Sequence, residues 1–396
     1  MFKMVDVARK AVGAVAGVAA KVAVVESKFQ LNSRLNGPWP LGPFLWLHGA
    51  SLGECRMLLN LAEFIQQDIP GCPKLLMTTQ KVEVLEFLNK KIEEEQREGI
   101  EAALAPADVP SALHLFAKVV KPVGLVLGEN ELWPGYLSLM QKLCVRPSVA
   151  LVSGRYYASV PGVSFSALGF VGMQTGSDLS RFMNVASRAN ISRIRIGGDW
   201  KLLKWARSGE GVKCCENPTI DATFVSFHWS EWSRLERMVD ISMCKQWAVV
   251  LAPRRLGELE RFTKALLSKK VEVVQWPQVK KGAVSVVEEF GQMGKIFEKS
   301  RLAVVGGSFE RGLGVHDFWE PMQKGAAVCV GPYVAGQKET VSALVREGAL
   351  VQLSSAGAFA NFEAPHKERT QKFLNQEREK ILDSYEELLA FLKTIL

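Results

Sequence analysis

The chain has 396 residues, 48% of them apolar and 23% charged, with a net charge of +8 and an isoelectric point near 9.0. This composition indicates a folded globular protein long enough for two domains, and it excludes a disordered or fibrous chain. The basic balance favours an acidic partner, either a phosphorylated substrate or an anionic membrane surface. Nucleic acid ranks last, because the Lys and Arg residues are scattered and no nucleic-acid-binding motif occurs.

The cysteines and histidines indicate the redox compartment and whether a metal site is expected. The seven cysteines include no C-x-x-C pair and are typical of reduced thiols in a reducing cytoplasm. The five histidines lack metal-ligand spacing, and no D-x-D pair occurs. Neither a metal nor a cofactor is therefore expected.

The N-terminal residues 1–30 are rich in Ala and Val but carry interspersed charges. Their longest uncharged run, residues 11–20, is too short to cross a bilayer and has no features of a secretion signal. Two interpretations stay equally open. The segment is either a helix lying on an anionic membrane surface or a small-residue helix packed on the protein itself.

The first strand followed by polar residues is Phe44–Leu47, which leads into His48-Gly-Ala-Ser-Leu-Gly-Glu54 and an amphipathic helix over 55–66. Glu54 falls in the first turn of that helix. It is either a carboxylate that complements the helix dipole or a general base at the carboxyl end of a strand. The segment alone favours the dipole interpretation.

Further strands are predicted at 74–79, 123–127 and 149–152, with a charged helix at 83–99 between the first two. The strand at 123–127 ends in Gly-Glu-Asn-Glu-Leu-Trp-Pro, whose carboxylates are either helix caps or acid/base groups. The strand at 149–152 leads into Ser153-Gly-Arg155, and Gly197-Gly-Asp-Trp-Lys201 follows later. Strands that alternate with helices predict a doubly wound parallel sheet over 31–207.

The second half repeats this pattern after a polar linker at 208–218. Strands are predicted at 223–227, 247–251 and 271–276, and a βαβ unit spans 302–330. Its first strand, Leu302–Val305, is followed by Gly306-Gly-Ser308, a turn that would expose N–H groups to a phosphate. Arg254, beyond the strand at 247–251, suits the same ligand. Taken alone, 302–330 reads as an ordinary crossover.

Together and in this order, these segments resemble the Kdo transferases, which move 3-deoxy-D-manno-octulosonic acid (Kdo) from CMP-Kdo onto lipid A. WLHGASLGE matches the family's W-x-H-x-x-S-x-G-E signature without a gap, and ENELWP is similar to E-T-E-L-W-P. Later segments match in part. Ser153 replaces Asn in N-x-R, Arg255 replaces His in P-R-H, Gln292 replaces Glu in G-E-L, and Asp317 replaces Asn in G-H-N-x-x-E.

The resemblance implies the GT-B fold, in which two Rossmann-like α/β domains face a cleft and each is a doubly wound parallel sheet. The acceptor domain would be 31–207 and the CMP-sugar domain 219–365, with a C-terminal helix at 366–396 packing back on the protein. It further implies an inverting, metal-independent glycosyltransferase. This enzyme would lie on the cytoplasmic face of the bacterial inner membrane, peripheral or weakly anchored, with CMP-Kdo as donor and a lipid A precursor as acceptor.

The resemblance also implies roles for individual residues. Glu54 would be the catalytic base, while Glu129 and Lys201 would stabilise the transition state. The implied CMP-binding residues are Pro253, Arg254, Arg255, Gly291, Gln292, Met293, Gly307, Ser308, Asp317 and Glu320. The implied acceptor-binding or supporting residues are Ser51, Gly53, Glu131, His228 and His316.

Two alternatives remain beside this interpretation. The changes at Gln292 and Asp317 allow a transferase with another nucleotide-sugar or another acceptor. A non-catalytic homologue that binds lipid A precursors is the second alternative. The presence of Glu54, Glu129 and Lys201 argues against it, since a protein that only binds has no physical need for three charged groups at strand ends.

Overall fold

The computed structural model describes residues 30–156, 164–186, 189–212, 217–289, 291–361 and 363–396. They form two compact units. Unit 1 contains the described residues up to Ser208 together with Arg378–Leu396, and unit 2 is Gly209–Glu377. The helix expected at 1–30 lies outside the described residues except at Gln30. Within the described ranges, no helix has both the length and the apolar character that a membrane span requires.

Unit 1 is built on a parallel seven-stranded sheet with the spatial order 3-2-1-4-5-6-7. Its strands are β1 (Phe44–His48), β2 (Lys74–Thr79), β3 (Ile100–Leu104), β4 (Pro122–Gly128), β5 (Val149–Gly154), β6 (Leu168–Met173) and β7 (Arg193–Ile196). The strand order changes direction between β1 and β4. Open α/β sheets bind ligands at the carboxyl ends of strands at such a switch point.

The helices of unit 1 cover both faces of this sheet. They are α1 (Leu31–Asn36), α2 (Leu52–Asp68), α3 (Val82–Glu94), α4 (Pro110–Val120), α5 (Pro134–Leu143), α6 (Gly176–Ala186) and α7 (Leu203–Ser208). Proline at the first position starts α4 and α5, where its missing N–H has no cost. The core centres on Trp46, whose ring lies 4.6 Å from that of Phe116 and 4.8 Å from that of Tyr136.

Unit 2 contains a second parallel seven-stranded sheet, with the spatial order 10-11-9-8-12-13-14. Its strands are β8 (Ala222–Phe227), β9 (Val249–Pro253), β10 (Glu272–Gln275), β11 (Ala283–Val286), β12 (Leu302–Val305), β13 (Ala327–Val330) and β14 (Val351–Gln352). Its helices are α8 (Trp232–Cys244), α9 (Leu259–Ser268), α10 (Met293–Phe297), α11 (Trp319–Gln323) and α12 (Lys338–Arg346). The switch point lies between β8 and β12.

The last helix, α13 (Lys367–Ile395), contributes to both units. Near its start the Thr370 hydroxyl donates to the Ala349 carbonyl of unit 2 over 3.1 Å. Near its end the Phe391 ring lies against Gly169 of β6, where an added Cβ would be 2.2 Å from the ring. Residues from Arg378 onwards therefore complete unit 1.

The prediction of two doubly wound parallel sheets is confirmed, with small shifts at element ends. The helix predicted at 83–99 ends at Glu94, because the chain turns where Gln96 takes a left-handed φ of 48°. The strand predicted at 247–251 is Val249–Pro253, since its buried apolar run continues beyond Leu251.

Candidate active site

Glu54 lies at the switch point of unit 1, in the first turn of α2 directly after β1. Its Oε2 accepts the N–H groups of Ala50 and Ser51, both at 2.7 Å. The Ser51 hydroxyl in turn accepts the Glu54 N–H at 3.3 Å, which completes a capping box. Among the described residues, none forms a hydrogen bond with Oε1 of Glu54. Oε2 is therefore fixed, while Oε1 is available to accept a proton.

The electrostatic surroundings of Glu54 suit a base. The residue is only 8% exposed. Burial raises its pKa above the ordinary 4.5, and the nearby carboxylates Glu129 and Glu131 raise it further, against the lowering effect of the two backbone N–H groups. A carboxylate with a raised pKa is a stronger proton acceptor than an exposed one.

Glu129, directly after β4, sits across the same switch point and is held by two cations. Its Oε1 lies 2.7 Å from Lys201 Nζ and its Oε2 3.5 Å from Arg155. Asp199 adds a fourth charge, 3.7 Å from the Arg155 guanidinium. Burial alone would lower the pKa of Lys201, but Asp199 and Glu129 outweigh it and raise that pKa, so the ammonium stays charged.

The Lys201 side chain links this network to Glu54. A Cβ added to Gly53 would lie 3.4 Å from Lys201 Cε, so the lysine passes over the first turn of α2. The backbone at Glu129 is strained to place its side chain there, since its φ of 46° is left-handed. Such strain is concentrated at functional sites. The structure thus brings together the predicted residues Ser51, Gly53, Glu54, Glu129 and Lys201.

Glu131 has a supporting position behind this group. Its Oε2 accepts the Trp133 indole N–H at 2.6 Å and lies 3.3 Å from Nε2 of the fully buried His48. The other ring nitrogen, Nδ1, pairs with the Thr78 hydroxyl at 2.9 Å. Burial by itself would raise the pKa of Glu131, but His48 and Trp133 outweigh it and hold that pKa below its ordinary value. Glu131 therefore remains a fixed negative charge near Glu54.

In unit 2 the glycine turn after β12 is fixed by Glu231, which is completely buried. Its Oε2 accepts the N–H groups of His228 at 3.0 Å and Gly307 at 2.9 Å, and its Oε1 accepts that of Phe309 at 3.0 Å. The expectation that the Gly307 N–H is exposed to a phosphate is therefore wrong, because a carboxylate of the protein already occupies it.

Ser308 is likewise turned inward. It is fully buried, and its hydroxyl donates to the Val305 carbonyl at 2.6 Å and accepts the Gly331 N–H at 2.7 Å. The first residue of the turn must be glycine, since a Cβ on Gly306 would lie 2.6 Å from Phe227 Cα. The role of this turn in the structure is to hold β8, β12 and β13 together at their carboxyl ends.

Two histidines meet beside the glycine turn. His228, after β8, and His316, from the loop after β12, place their Nε2 atoms 2.8 Å apart. Burial lowers the pKa of His316 to about 4, and the nearby charges of Arg254 and His228 contribute to that shift. Pro253 ends β9, and the Arg254 N–H donates to the Phe227 carbonyl at 2.9 Å. Arg254 and Arg255 are both exposed.

The remaining predicted CMP residues lie around α10 and α11. Asp317 Oδ1 accepts the Trp319 N–H at 2.8 Å, so the first donor of the five-residue helix α11 is already occupied. Glu320 lies beside the start of α10, where a Cβ on Gly294 would be 3.8 Å from its Oε1. Gly291, Gln292 and Met293 form that start, with Gln292 Nε2 3.5 Å from Glu289.

Three residues in this arrangement have roles that the sequence did not indicate. Arg155 and Asp199 surround Glu129 and Lys201, and Glu231 fixes the glycine turn. Arg155 and Asp199 stand in the segments Ser153-Gly-Arg155 and Gly197-Gly-Asp-Trp-Lys201, and Glu231 follows the strand predicted at 223–227. The sequence does show that each of these three residues is charged and lies near the end of a strand. It does not show which residue each one contacts.

Comparison with known proteins finds similarity to one family. A family model described as 3-deoxy-D-manno-octulosonic-acid transferase (kdotransferase) matches residues 23–202. The 3-deoxy-D-manno-octulosonic acid transferase of Chlamydia pneumoniae is 22% identical over 330 residues, 78% of this chain and 74% of that protein. Its counterpart in Rickettsia bellii is 23% identical over 385 residues, 87% of each chain. Residues 23–202 thus match the Kdo transferase model, and Kdo transferases are homologous to this chain over most of its length.

Structural comparison agrees with the fold of this Kdo transferase homologue. The crystal structure of MurG from Acinetobacter baumannii, a GT-B glycosyltransferase, matches with a TM-score of 0.54 at 12% identity. The match covers 89% of this chain and 100% of MurG. The match shows that the two proteins share a fold, while the Kdo transferase relatives show that this chain is a glycosyltransferase. Its charged groups gather at the switch point of each sheet.

Proposed function

We propose that this protein is an inverting, metal-independent transferase that moves Kdo from CMP-Kdo onto a hydroxyl group of a lipid A precursor. The single observation that carries the proposal is the setting of Glu54. At the switch point of unit 1, one oxygen of its carboxylate is fixed by two backbone hydrogen bonds. The side chain is nearly buried and its pKa is raised. A base is what an acceptor hydroxyl requires before it can attack a sugar.

In the proposed reaction the acceptor oxygen attacks the anomeric carbon of Kdo while Glu54 takes the hydroxyl proton. The bond between that carbon and the phosphate oxygen breaks, and CMP leaves with the electron pair. Lys201 and Glu129, 2.7 Å apart, supply paired charges for an oxocarbenium-like transition state. Arg254 in unit 2 supplies positive charge for the departing phosphate.

The proposed donor is CMP-Kdo in spite of the changes within the CMP-binding residues. Asp317 accepts the first N–H of α11 through Oδ1, and an asparagine at this position could cap the helix in the same way. The replacement of Asn by Asp therefore preserves a structural role. The alternative of another nucleotide-sugar gains no support from this position.

The proposed location is the cytoplasmic face of the inner membrane, with peripheral attachment. The net charge of +8 supports it, because an anionic leaflet attracts a basic protein and lipid A precursors are phosphorylated.

The test compares Glu54→Gln with the wild type in transfer from CMP-Kdo, generated in situ, to a tetra-acylated lipid A precursor. Glutamine can still accept the N–H groups of Ala50 and Ser51, so the capping box survives while the base is lost. The expected loss of rate is about 10²-fold or more. The matched control is Glu63→Gln, a half-exposed position on the same helix, which should keep the wild-type rate.

Two results would overturn parts of the proposal. Equal rates in Glu54→Gln and the wild type would remove Glu54 from the mechanism. No product from the wild type, together with no change of its melting temperature in CMP-Kdo, would refute the donor assignment.

A further inference from the structure

The two histidines beside the glycine turn form an unusually close pair. Their Nε2 atoms are 2.8 Å apart, and their ring centroids are 5.0 Å apart at an interplanar angle of 32°. They come from the loops after β8 and β12, the two strands that flank the switch point of unit 2. His316 packs directly on Gly307, where a Cβ would lie 2.8 Å from its Cδ2. Both rings are half-buried and so remain open to a ligand.

A separation of 2.8 Å between two ring nitrogens requires one proton between them. In the neutral pair one ring donates through Nε2–H, and the other accepts through Nε2. The accepting ring then carries its own N–H at Nδ1, and the donating ring has a lone pair there. One added proton would convert that lone pair into an N–H. The pair would become a monocation with two outward donors, which is the arrangement that an anion prefers.

Burial and the surrounding charges hold the histidine pair neutral in the free protein. Burial, then Arg254 and His228, lower the pKa of His316 to about 4. Burial also lowers the pKa of His228, assisted by Arg255 and Arg254 and opposed by Glu231 and Glu258. The Glu231 carboxylate is already engaged by three backbone N–H groups. The negative charge of a bound phosphate dianion would oppose the effect of the arginines and favour the added proton.

We propose that His228 and His316 together form the phosphate-binding group of unit 2, next to Arg254, and that the pair takes up one proton when a phosphate monoester binds. This inference rests on the proposed function, since CMP is the monoester in question. The inference also changes the role of the glycine turn. The turn does not bind phosphate through its own N–H groups; it supports the His316 ring, which binds the phosphate.

Titration calorimetry of the full chain with CMP at about pH 6.5, in phosphate-free buffers of different ionisation enthalpy, counts the protons bound with the ligand. The expected result is a net uptake of about 0.5 to 1 proton per CMP. Cytidine, which lacks the phosphate, should show no linked proton. Inorganic phosphate should show the same sign of linkage as CMP, and this separates the contribution of the phosphate from that of the nucleoside.

The variant His316→Gln keeps a hydrogen-bonding side chain but cannot gain a proton. It should lose the linked proton and bind CMP about tenfold or more weakly, the loss of one charge-assisted hydrogen bond. The matched control is His366→Gln, an exposed histidine just before α13, which should leave both quantities unchanged.

The outcomes separate this inference from the proposed function. CMP binding with no proton uptake, or with net release, overturns the inference and leaves the donor assignment standing, as does unchanged linkage in His316→Gln. If inorganic phosphate binds with proton uptake and CMP does not bind, the inference stands and the donor assignment falls. If neither CMP nor phosphate binds, both are overturned.

Discussion

Replacing Glu231 should loosen the glycine turn that supports the candidate site of unit 2. In Glu231→Gln, an oxygen in the place of Oε2 would still accept the N–H groups of His228 and Gly307. The amide group in the place of Oε1 would instead face the N–H of Phe309, so that two donors oppose each other. In Glu231→Ala, all three buried N–H groups would lose their acceptor.

The size of the effect follows from the number of bonds lost. A buried hydrogen bond to a charged acceptor contributes about 1.5 to 3 kcal/mol, so glutamine should cost about 2 kcal/mol. Alanine loses three bonds, which are not additive, and breaking a buried charged network costs about 3 to 5 kcal/mol. A change of 2 kcal/mol corresponds to local opening about 30-fold more frequent.

Hydrogen exchange followed by mass spectrometry measures this opening in peptides that contain Gly307 and Phe309. Exchange there should be about 30-fold faster in Glu231→Gln than in the wild type. Glu236→Gln is the matched control, since Glu236 lies on α8 in a half-exposed ion pair with Lys269, and its replacement should change the free energy of unfolding by less than about 1 kcal/mol. Equal exchange in Glu231→Gln and the wild type would show that the carboxylate does not hold the turn.

Two further predictions concern the base and the glycine turn. Because burial, Glu129 and Glu131 raise the pKa of Glu54 above 4.5, and a base acts only when ionised, the transfer rate should fall as pH drops through that raised pKa. Single-turnover rates between about pH 4 and 8 should show this acid limb, and Glu131→Gln should move it to lower pH; a limb that stays in place contradicts the assignment. Gly306→Ala should cost at least about 2 kcal/mol in urea unfolding, because the new Cβ would lie 2.6 Å from Phe227 Cα. Gly257→Ala, which meets open space, should cost less than about 0.5 kcal/mol, and equal costs would refute the clash.

Features that depend on neighbouring residues could be predicted from the sequence. The run Leu302–Val305 is continuously apolar because a central parallel strand is buried on both faces, and the structure has β12 at those residues. Glu54 could be placed in the first turn of a helix because it lies between a short apolar strand and an amphipathic run, and the structure has α2 begin there with a capping box.

Features that depend on distant residues could not be predicted. Glu231 contacts Gly307 across 76 positions of sequence, and His228 meets His316 across 88. Both contacts arise because β8 and β12 are neighbours in the sheet although three strands separate them along the chain. The expectation of an exposed Gly307 N–H was wrong for this reason. The turn itself was visible in the sequence, but its acceptor belongs to another loop.

The division of α13 between the two units has a consequence for the order in which the protein is made. Ser384 lies against Gly197, Phe391 against Gly169 and Ile395 against Gly124, so residues of α13 cover three strand or strand-end positions of unit 1. On the ribosome these residues emerge after the whole of unit 2. The sheet of unit 1 therefore stays partly uncovered until the whole of unit 2 has been synthesised. A nascent chain halted after Ser208 would leave this apolar face exposed to chaperones or to other chains.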